Sequence, residues 1–213
     1  MRSYGKGIMT ILDKHPEKNL IRLQLSQNIV LQSLDQNSMA ELEGSLEISD
    51  LKKSEILLRQ GSYQMEQYFV LDGILKRIVS SADAKEMILR FAIEQDIETS
   101  YAAWRLQRSA PYSIASVTKA RVARMPLKKW AEFLDAHPKL KESFEFEVMR
   151  LMSEIMAHTI TLHMLDAPGR VERFLRKYEN LFEVLPKKEL AAYLNLSPET
   201  LSRLKSKHKE LFV

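Results

Sequence analysis

The spacing of apolar residues changes near residue 51 and predicts a different structure on each side of that point. Before it, Met39, Leu42 and Leu46 lie three and four residues apart, as on one face of a helix. The apolar segment Leu20–Leu34 has no clean period, so helix and strand both stay open there. After residue 51, short apolar runs separated by turn-like residues predict an antiparallel sandwich or barrel. The predicted strands are Glu55–Leu58, Gln67–Leu71, Ile74–Ser80, Glu86–Ala92, Ser113–Thr118 and Ala120–Met125.

Helical spacing returns at Leu127 and continues into a long helix. The first of these helices ends at His137–Pro138, because a residue that precedes proline avoids helical geometry. The long helix is predicted for residues 139–165, and Asp166–Gly169 breaks it. We therefore expect an α+β chain with a β-rich domain and N-terminal helices over residues 1–138, a linking helix over 139–165 and a small helical domain over 166–213.

The long helix carries two sevenfold series of mostly apolar residues, offset by four positions. This is the a/d pattern of a coiled coil, and it predicts a dimer interface. The alternative is that the helix simply lies on the chain's own sheet. Further apolar residues such as Met149 and Met156 widen the apolar surface, so that one helix can contact both a sheet and a partner. The predicted interface residues are Phe144, Val148, Leu151, Ile155, His158 and Leu162.

Residues 185–205 have the pattern of two crossed helices joined by a tight turn. Leu190 and Leu194 lie four apart and bury one face of the first helix, where the small Ala191 lets the second helix approach. Asn195 falls at the turn, where asparagine tolerates left-handed backbone. Leu201 covers the inner face of the second helix. The pattern predicts a helix-turn-helix, and an ordinary helical hairpin with a solvated basic face is the alternative.

The second helix of this motif has a well-defined start and a polar outer face. Ser197 is a favourable N-cap, and Pro198 loses no needed donor at the first helical position. Glu199 and Arg203 lie four apart on the outer face, where polar side chains can reach base edges in a major groove. Nearby lysines supply positive charge for phosphates. The predicted DNA-binding residues are Lys187, Lys188, Ser197, Pro198, Glu199, Thr200, Ser202, Arg203, Ser206 and Lys207.

The amino-acid composition limits which classes of function and binding site the chain can have. The net charge of +4 permits nucleic-acid binding but does not require it. The absence of cysteine excludes disulfides, thiolate metal sites and cysteine catalysis, and it is compatible with a cytoplasmic location. No metal site is expected, because His158 and His163 are five residues apart and do not share a helix face. No apolar run is long enough to predict a membrane span, and no enzyme motif is present, so we expect neither membrane association nor catalysis.

Several motifs carry a resemblance to a known family. Arg59–Gly61 and Tyr68–Gly73 bound a hairpin with glycines, Lys85–Leu89 forms the next strand, and Pro198–Arg203 opens the second helix of the motif described above. Over roughly residues 34–207 the chain resembles the CRP/FNR superfamily of bacterial transcription regulators. The resemblance implies an N-terminal antiparallel β-roll sensor domain, a long dimerisation helix and a C-terminal helix-turn-helix domain. It also implies a homodimer on a two-fold promoter site in double-stranded DNA, with RNA polymerase as a further partner.

The chain departs from this family where cyclic nucleotides bind. Members that bind them carry a Gly-Glu pair, whereas Thr99 and Ser100 stand at the matching places here. Arg108 and Ser109 are similar to the family's phosphate-binding stretch but fall two residues early. We expect no control by cyclic AMP and no cofactor, and the effector is unidentified. A dimeric cyclic-nucleotide-binding-like sensor or scaffold without specific DNA binding is the alternative function. The candidate effector-pocket residues are Glu98, Thr99, Ser100, Arg108 and Ser109.

Overall fold

The computed structural model describes residues 9–81 and 86–207. Lys85, from one of the motifs above, lies outside the described residues, as do residues 1–8 and 208–213. The described strands are β1 (Met9–Ile11), β2 (Glu47–Leu51), β3 (Ile56–Leu58), β4 (Glu66–Asp72), β5 (Leu75–Ser80), β6 (Glu86–Ala92), β7 (Ile97–Thr99), β8 (Ser113–Ser116) and β9 (Ala120–Pro126). The described α-helices are α1 (Lys18–Ser26), α2 (Gln36–Glu43), α3 (Tyr101–Arg105), α4 (Leu127–Ala136), α5 (Pro138–Met164), α6 (Ala167–Val184), α7 (Lys187–Tyr193) and α8 (Pro198–Lys207).

The strands form two antiparallel sheets. One has the order β1-β2-β9-β4-β7, and the other has the order β3-β8-β5-β6. The α+β class and the antiparallel roll are thus confirmed. Strand β4, which lies between β9 and β7, is buried on both faces from Gln67 to Leu71, which explains its continuous apolar run. At the next turn, Gly73 adopts φ +81°, a left-handed conformation that glycine takes without steric cost.

Aromatic side chains join the sheets to the helices that follow them. The ring of Trp130 on α4 packs edge-on against Phe69 of β4 and Phe144 of α5, with centroid separations of 5.4 and 5.3 Å. All three side chains are fully buried in the main hydrophobic core. Edge-to-face contacts of this kind add to the stabilisation that burial itself provides. The N-terminal half of the long helix α5 therefore packs against the roll.

Several elements differ from the sequence prediction. The short strands β1, β2 and β7 were not predicted, since three to five residues give too little periodicity. The undecided segment Leu20–Leu34 contains most of α1, in which Ile21 and Leu25 are buried four residues apart. The helical structure is not interrupted over all of Asp166–Gly169, because α6 already begins at Ala167. Asp166 caps α6 by accepting a hydrogen bond from the Gly169 backbone N–H at 3.0 Å, so only Leu165 and Asp166 separate the two helices.

The C-terminal helices α6, α7 and α8 share a second hydrophobic cluster with the four-stranded sheet. Ile78 and Ile88 of the sheet lie in this cluster together with Phe174, Leu190 and Leu201 of the helices. The helix-turn-helix therefore packs against the roll of its own chain. Across residues 9–81 and 86–207, no helix combines the length and the apolar character needed to cross a bilayer.

Candidate nucleic-acid interface

The turn between α7 and α8 has the geometry that its sequence predicts. Asn195 adopts φ 52°. The Leu196 backbone N–H donates to the Ala191 carbonyl at 2.9 Å, which closes the turn. Leu190, Ala191 and Leu201 are buried, so the inner faces of the two helices are in contact. The predicted helix-turn-helix is confirmed as a structural unit.

The start of α8 is capped by Ser197. Its hydroxyl accepts a hydrogen bond from the Thr200 backbone N–H at 3.1 Å, and Pro198 occupies the first helical position. Hydrogen bonds from its own backbone N–H and from the Ser197 side chain lower the pKa of Glu199. This carboxylate therefore stays ionised and held at the helix start, where the helix dipole also favours negative charge.

The outer face of α8 is polar and accessible. Glu199, Arg203 and Ser206 are exposed. The hydroxyls of Ser202 and Ser206 donate to carbonyl oxygens one turn back, at 2.9 and 3.1 Å. Each hydroxyl oxygen thus keeps its acceptor capacity for a partner outside the helix. Lys187 begins α7 and is exposed, so positive charge flanks this surface.

The other predicted interface residues lie around this surface. Lys188 is exposed beside Lys187, whereas Pro198 and Thr200 are half-buried at the start of α8. Lys207 is the last residue of α8. Lys205 is one of the nearby lysines expected to supply positive charge, and its ammonium lies 4.0 Å from the centroid of the Phe182 ring. The face formed by Ser197, Glu199, Arg203 and Ser206 is hereafter called the α8 face.

Most of the predicted dimer-interface residues on α5 are covered by the chain itself. Phe144, Leu151, His158 and Leu162 are buried within the chain itself, and Val148 and Ile155 are only half-exposed. Phe144 and Leu151 belong to the roll's own core. Most of the two sevenfold series therefore faces the sheet and the C-terminal helices of the same chain. This is the alternative that the sequence left open.

A different face of α5 is apolar and uncovered in the single chain. Its large side chains are 52–76% exposed. They are spaced so that they form a stripe along most of the helix. The stripe, hereafter called the exposed α5 face, consists of Phe146, Met149, Met152, Met156, Ile160 and Met164.

The interior of the roll holds a cluster of buried charges. Glu98 on β7 is fully buried and accepts hydrogen bonds from Arg77 Nε at 2.7 Å and Arg90 Nη1 at 3.0 Å. Arg90 also binds Asp96 through Nη2 at 3.1 Å. Burial opposes the charge of Arg77, but the adjacent Glu98 carboxylate outweighs it and raises the pKa of that guanidinium. Burial also raises the pKa of Asp96. Two positive and two negative groups thus neutralise each other inside the protein.

The cluster includes Glu98, one of the predicted effector-pocket residues. Its carboxylate is buried and accepts hydrogen bonds from Arg77 and Arg90. Thr99 and Ser100 are buried beside it, whereas Arg108 is exposed and Ser109 half-buried on the segment after α3. Arg77 and Arg90 were not predicted from the sequence as part of a site. Each lies in a mostly apolar strand, and its inward position in that strand was the only sign that the charge is buried.

Sequence comparisons find related regulatory proteins. The chain is 24% identical over 205 residues to the "Anaerobic regulatory protein" of Aggregatibacter actinomycetemcomitans, covering 89% of this chain and 77% of the relative. It is 24% identical over 185 residues to the "Nitrogen fixation regulation protein FixK" of Bradyrhizobium diazoefficiens, covering 82% and 76%. No protein-family model matches the chain.

Structural comparison agrees with these relatives. The fold superposes with a TM-score of 0.69 on a solved structure from Eubacterium rectale described as a transcriptional regulator of the CRP/FNR family. The match covers 86% of this chain and 88% of that chain, at 14% identity. The chain thus shares the fold of that solved structure, and its sequence relatives are named as regulatory proteins.

Proposed function

We propose that this protein is a transcription regulator that recognises a specific promoter sequence through the α8 face. The observation that carries the proposal is a short, capped helix whose inner face is buried and whose outer face presents Glu199 and Arg203 to solvent. A helix of this size fits the major groove, where arginine recognises guanine through two hydrogen bonds. The exposed lysines at the start of α7 would contact phosphates.

We also propose a homodimer that binds a two-fold site. The supporting observation is the exposed α5 face, since several large apolar side chains on adjacent turns indicate contact with another surface. Phe146 and Ile160 are fourteen residues apart, and Met149 and Met156 are seven apart, so the face has the heptad spacing of paired helices. A two-fold axis would bring the same stripe of each chain together. We further propose contact with RNA polymerase, which the resemblance implies, and a cytoplasmic location, with which the absence of cysteine is compatible.

Control by cyclic AMP is not part of the proposal. A cyclic phosphate needs backbone N–H groups that can come close, a compensating arginine and an acceptor for the ribose hydroxyl. In this chain Thr99 and Ser100 replace the family's Gly-Glu pair, and Arg108 is exposed at the surface. The acidic side chain nearest to these positions, Glu98, is paired with Arg77 and Arg90. A sensor or scaffold without specific DNA binding remains the alternative function.

The test begins with the bound DNA. Genomic fragments retained by the purified protein are sequenced, and the affinity for the recovered site is measured by fluorescence anisotropy over a range of salt concentrations. Arg203→Ala should weaken specific binding by about 1–3 kcal/mol and relax the preference at one base pair. Lys187→Ala should weaken all sequences alike and reduce the salt dependence by about one ion.

The control variant is Arg176→Ala. Arg176 is exposed on α6 and forms an ion pair with Glu172, so its removal changes the charge of the domain without altering the α8 face. It should leave the sequence preference unchanged. If Arg203→Ala binds the specific site as tightly as the wild-type protein does, α8 is not the recognition helix. Equal affinity of the wild-type protein for all duplexes would favour the alternative function.

A further inference from the structure

The helix-turn-helix is joined to the roll by a largely buried ion pair. Lys76 on β5 donates from Nζ to Glu189 Oε2 on α7 at 2.7 Å. The two side chains are only 12% and 14% exposed. An ion pair shielded from water to this degree is much less screened by salt than a surface pair. It joins two residues that are 113 positions apart in the sequence.

One turn later on α7, Tyr193 makes a second contact with the rest of the chain. Its ring stacks on His158 of α5 at 3.9 Å, with planes inclined by 10°. It also lies 5.3 Å from the ring of Phe91 on β6. Burial and the neighbouring Tyr178 raise the pKa of Tyr193. A single side chain thus contacts the long helix and the sheet together.

These contacts fix one face of α7. Glu189 and Tyr193 are four residues apart and therefore lie on the same side of the helix, towards the roll. Lys187, at the start of α7, remains exposed. Since α7 packs on α8 through the buried Leu190 and Leu201, the position of α7 determines where the α8 face points.

We propose that this contact is a clamp that holds the recognition helix in one orientation relative to the roll. The clamp consists of the Lys76–Glu189 pair and of the contacts that the Tyr193 ring makes with Phe91 and His158. Lys76 and Glu189 are positioning residues for DNA binding, because they would act through the placement of α7. The inference rests on the proposed function. It holds that a contact within each chain sets how the two helix-turn-helix domains of the dimer are oriented relative to each other.

The clamp matters most when both helix-turn-helix domains of the dimer bind one duplex. Two linked domains gain affinity only if their spacing and orientation match the two half-sites. A domain released from the clamp can still bind an isolated half-site, because its α8 face is unchanged. The ratio between full-site and half-site affinity therefore reports the clamp, and it cancels the general effect of added or removed charge on DNA binding.

The experiment compares the recovered two-fold duplex with the same duplex carrying one scrambled half-site. Lys76→Glu should reduce the full-to-half-site affinity ratio by about tenfold or more, since avidity in a well-matched dimer is of this order or larger. Glu189→Lys should do the same. The double variant, in which the charges are exchanged, should return the ratio to within about threefold of wild type.

Controls separate the possible failures. Lys53→Glu makes the same charge change at an exposed position of the roll and should leave the ratio unchanged. If Lys76→Glu does not fold, the comparison uses Lys76→Gln and the double variant. Hydrogen exchange should also show faster exchange of β6 and α7 amides in Lys76→Glu. An unchanged ratio in the single variants, or no recovery in the double variant, overturns the clamp. Failure of wild-type protein to prefer any duplex overturns the proposed function instead.

Discussion

The buried charge cluster in the roll allows a quantitative prediction for Glu98→Gln. Glutamine has nearly the same shape as glutamate, so the substitution removes one negative charge and little volume. Arg77 and Arg90 are only 5% and 6% exposed at the side chain. After the change, these two cations face a single remaining carboxylate, that of Asp96, which binds Arg90.

The magnitude follows from the number of bonds that depend on Glu98. Its carboxylate accepts from both arginines and from the Thr99 backbone N–H at 3.2 Å. Removal of one partner from a buried ion pair costs about 3–5 kcal/mol, because the other charge stays buried without compensation. Asp96 still compensates Arg90, so we expect about 3 kcal/mol. This is a large share of the roughly 5–15 kcal/mol by which most domains are stable.

Urea denaturation followed by circular dichroism measures the change. Glu142→Gln is the matched control, because Glu142 is exposed on α5, and it should alter the free energy of unfolding by less than about 0.5 kcal/mol. A loss below about 1 kcal/mol in Glu98→Gln would show that solvent or relaxation compensates the arginines. If solvent is the cause, an anionic effector would again be a reasonable ligand for the two arginines.

Three further outcomes are expected. Ile160→Lys should convert the dimer to monomers in sedimentation velocity, since like charges would meet at the two-fold axis, whereas Glu142→Lys should not; an unchanged dimer would mean that another surface pairs. The pKa of His158 is lowered to about 4 by burial, so the unfolded state binds more protons below its usual value of 6.5. The contribution of His158 should therefore lower stability by up to about 1.4 kcal/mol for each unit that the pH falls between 6.5 and 4, and His158→Phe should reduce the slope by that amount; an equal slope in both proteins would contradict it. Calorimetry should detect no micromolar binding of cyclic AMP, and a micromolar isotherm lost in Arg108→Ala would restore that residue to a nucleotide pocket.

Local patterns were sufficient for the helix-turn-helix. The cap at Ser197, the left-handed Asn195 and the buried Leu190 and Leu201 all depend on residues within a few positions of one another. The same holds for β6, whose predicted bounds Glu86–Ala92 match the structure. Short-range rules for caps, turns and periodicity predict such features, because the interacting groups are near in sequence.

The choice between the two apolar faces of α5 could not be made from the sequence. Both have heptad spacing, and the more regular series, with Phe144 and Leu151, turned out to pack on the chain's own roll. Periodicity reports that a face is apolar, but it does not report which surface covers it. The exposed α5 face became evident only once the sheet and α6 had occupied the other side.

The sequence by itself determined the order of the parts, the α8 face and the absence of the Gly-Glu pair. Only the tertiary structure placed Arg77 and Arg90 around Glu98, because strands β5, β6 and β7 meet only in the folded roll. It also brought Lys76 to Glu189 across most of the chain. The spacing of charged residues along the chain does not show which residues they pair with. The stability of a buried charge depends on the groups within a few ångströms of it, and only the folded chain brings those groups together.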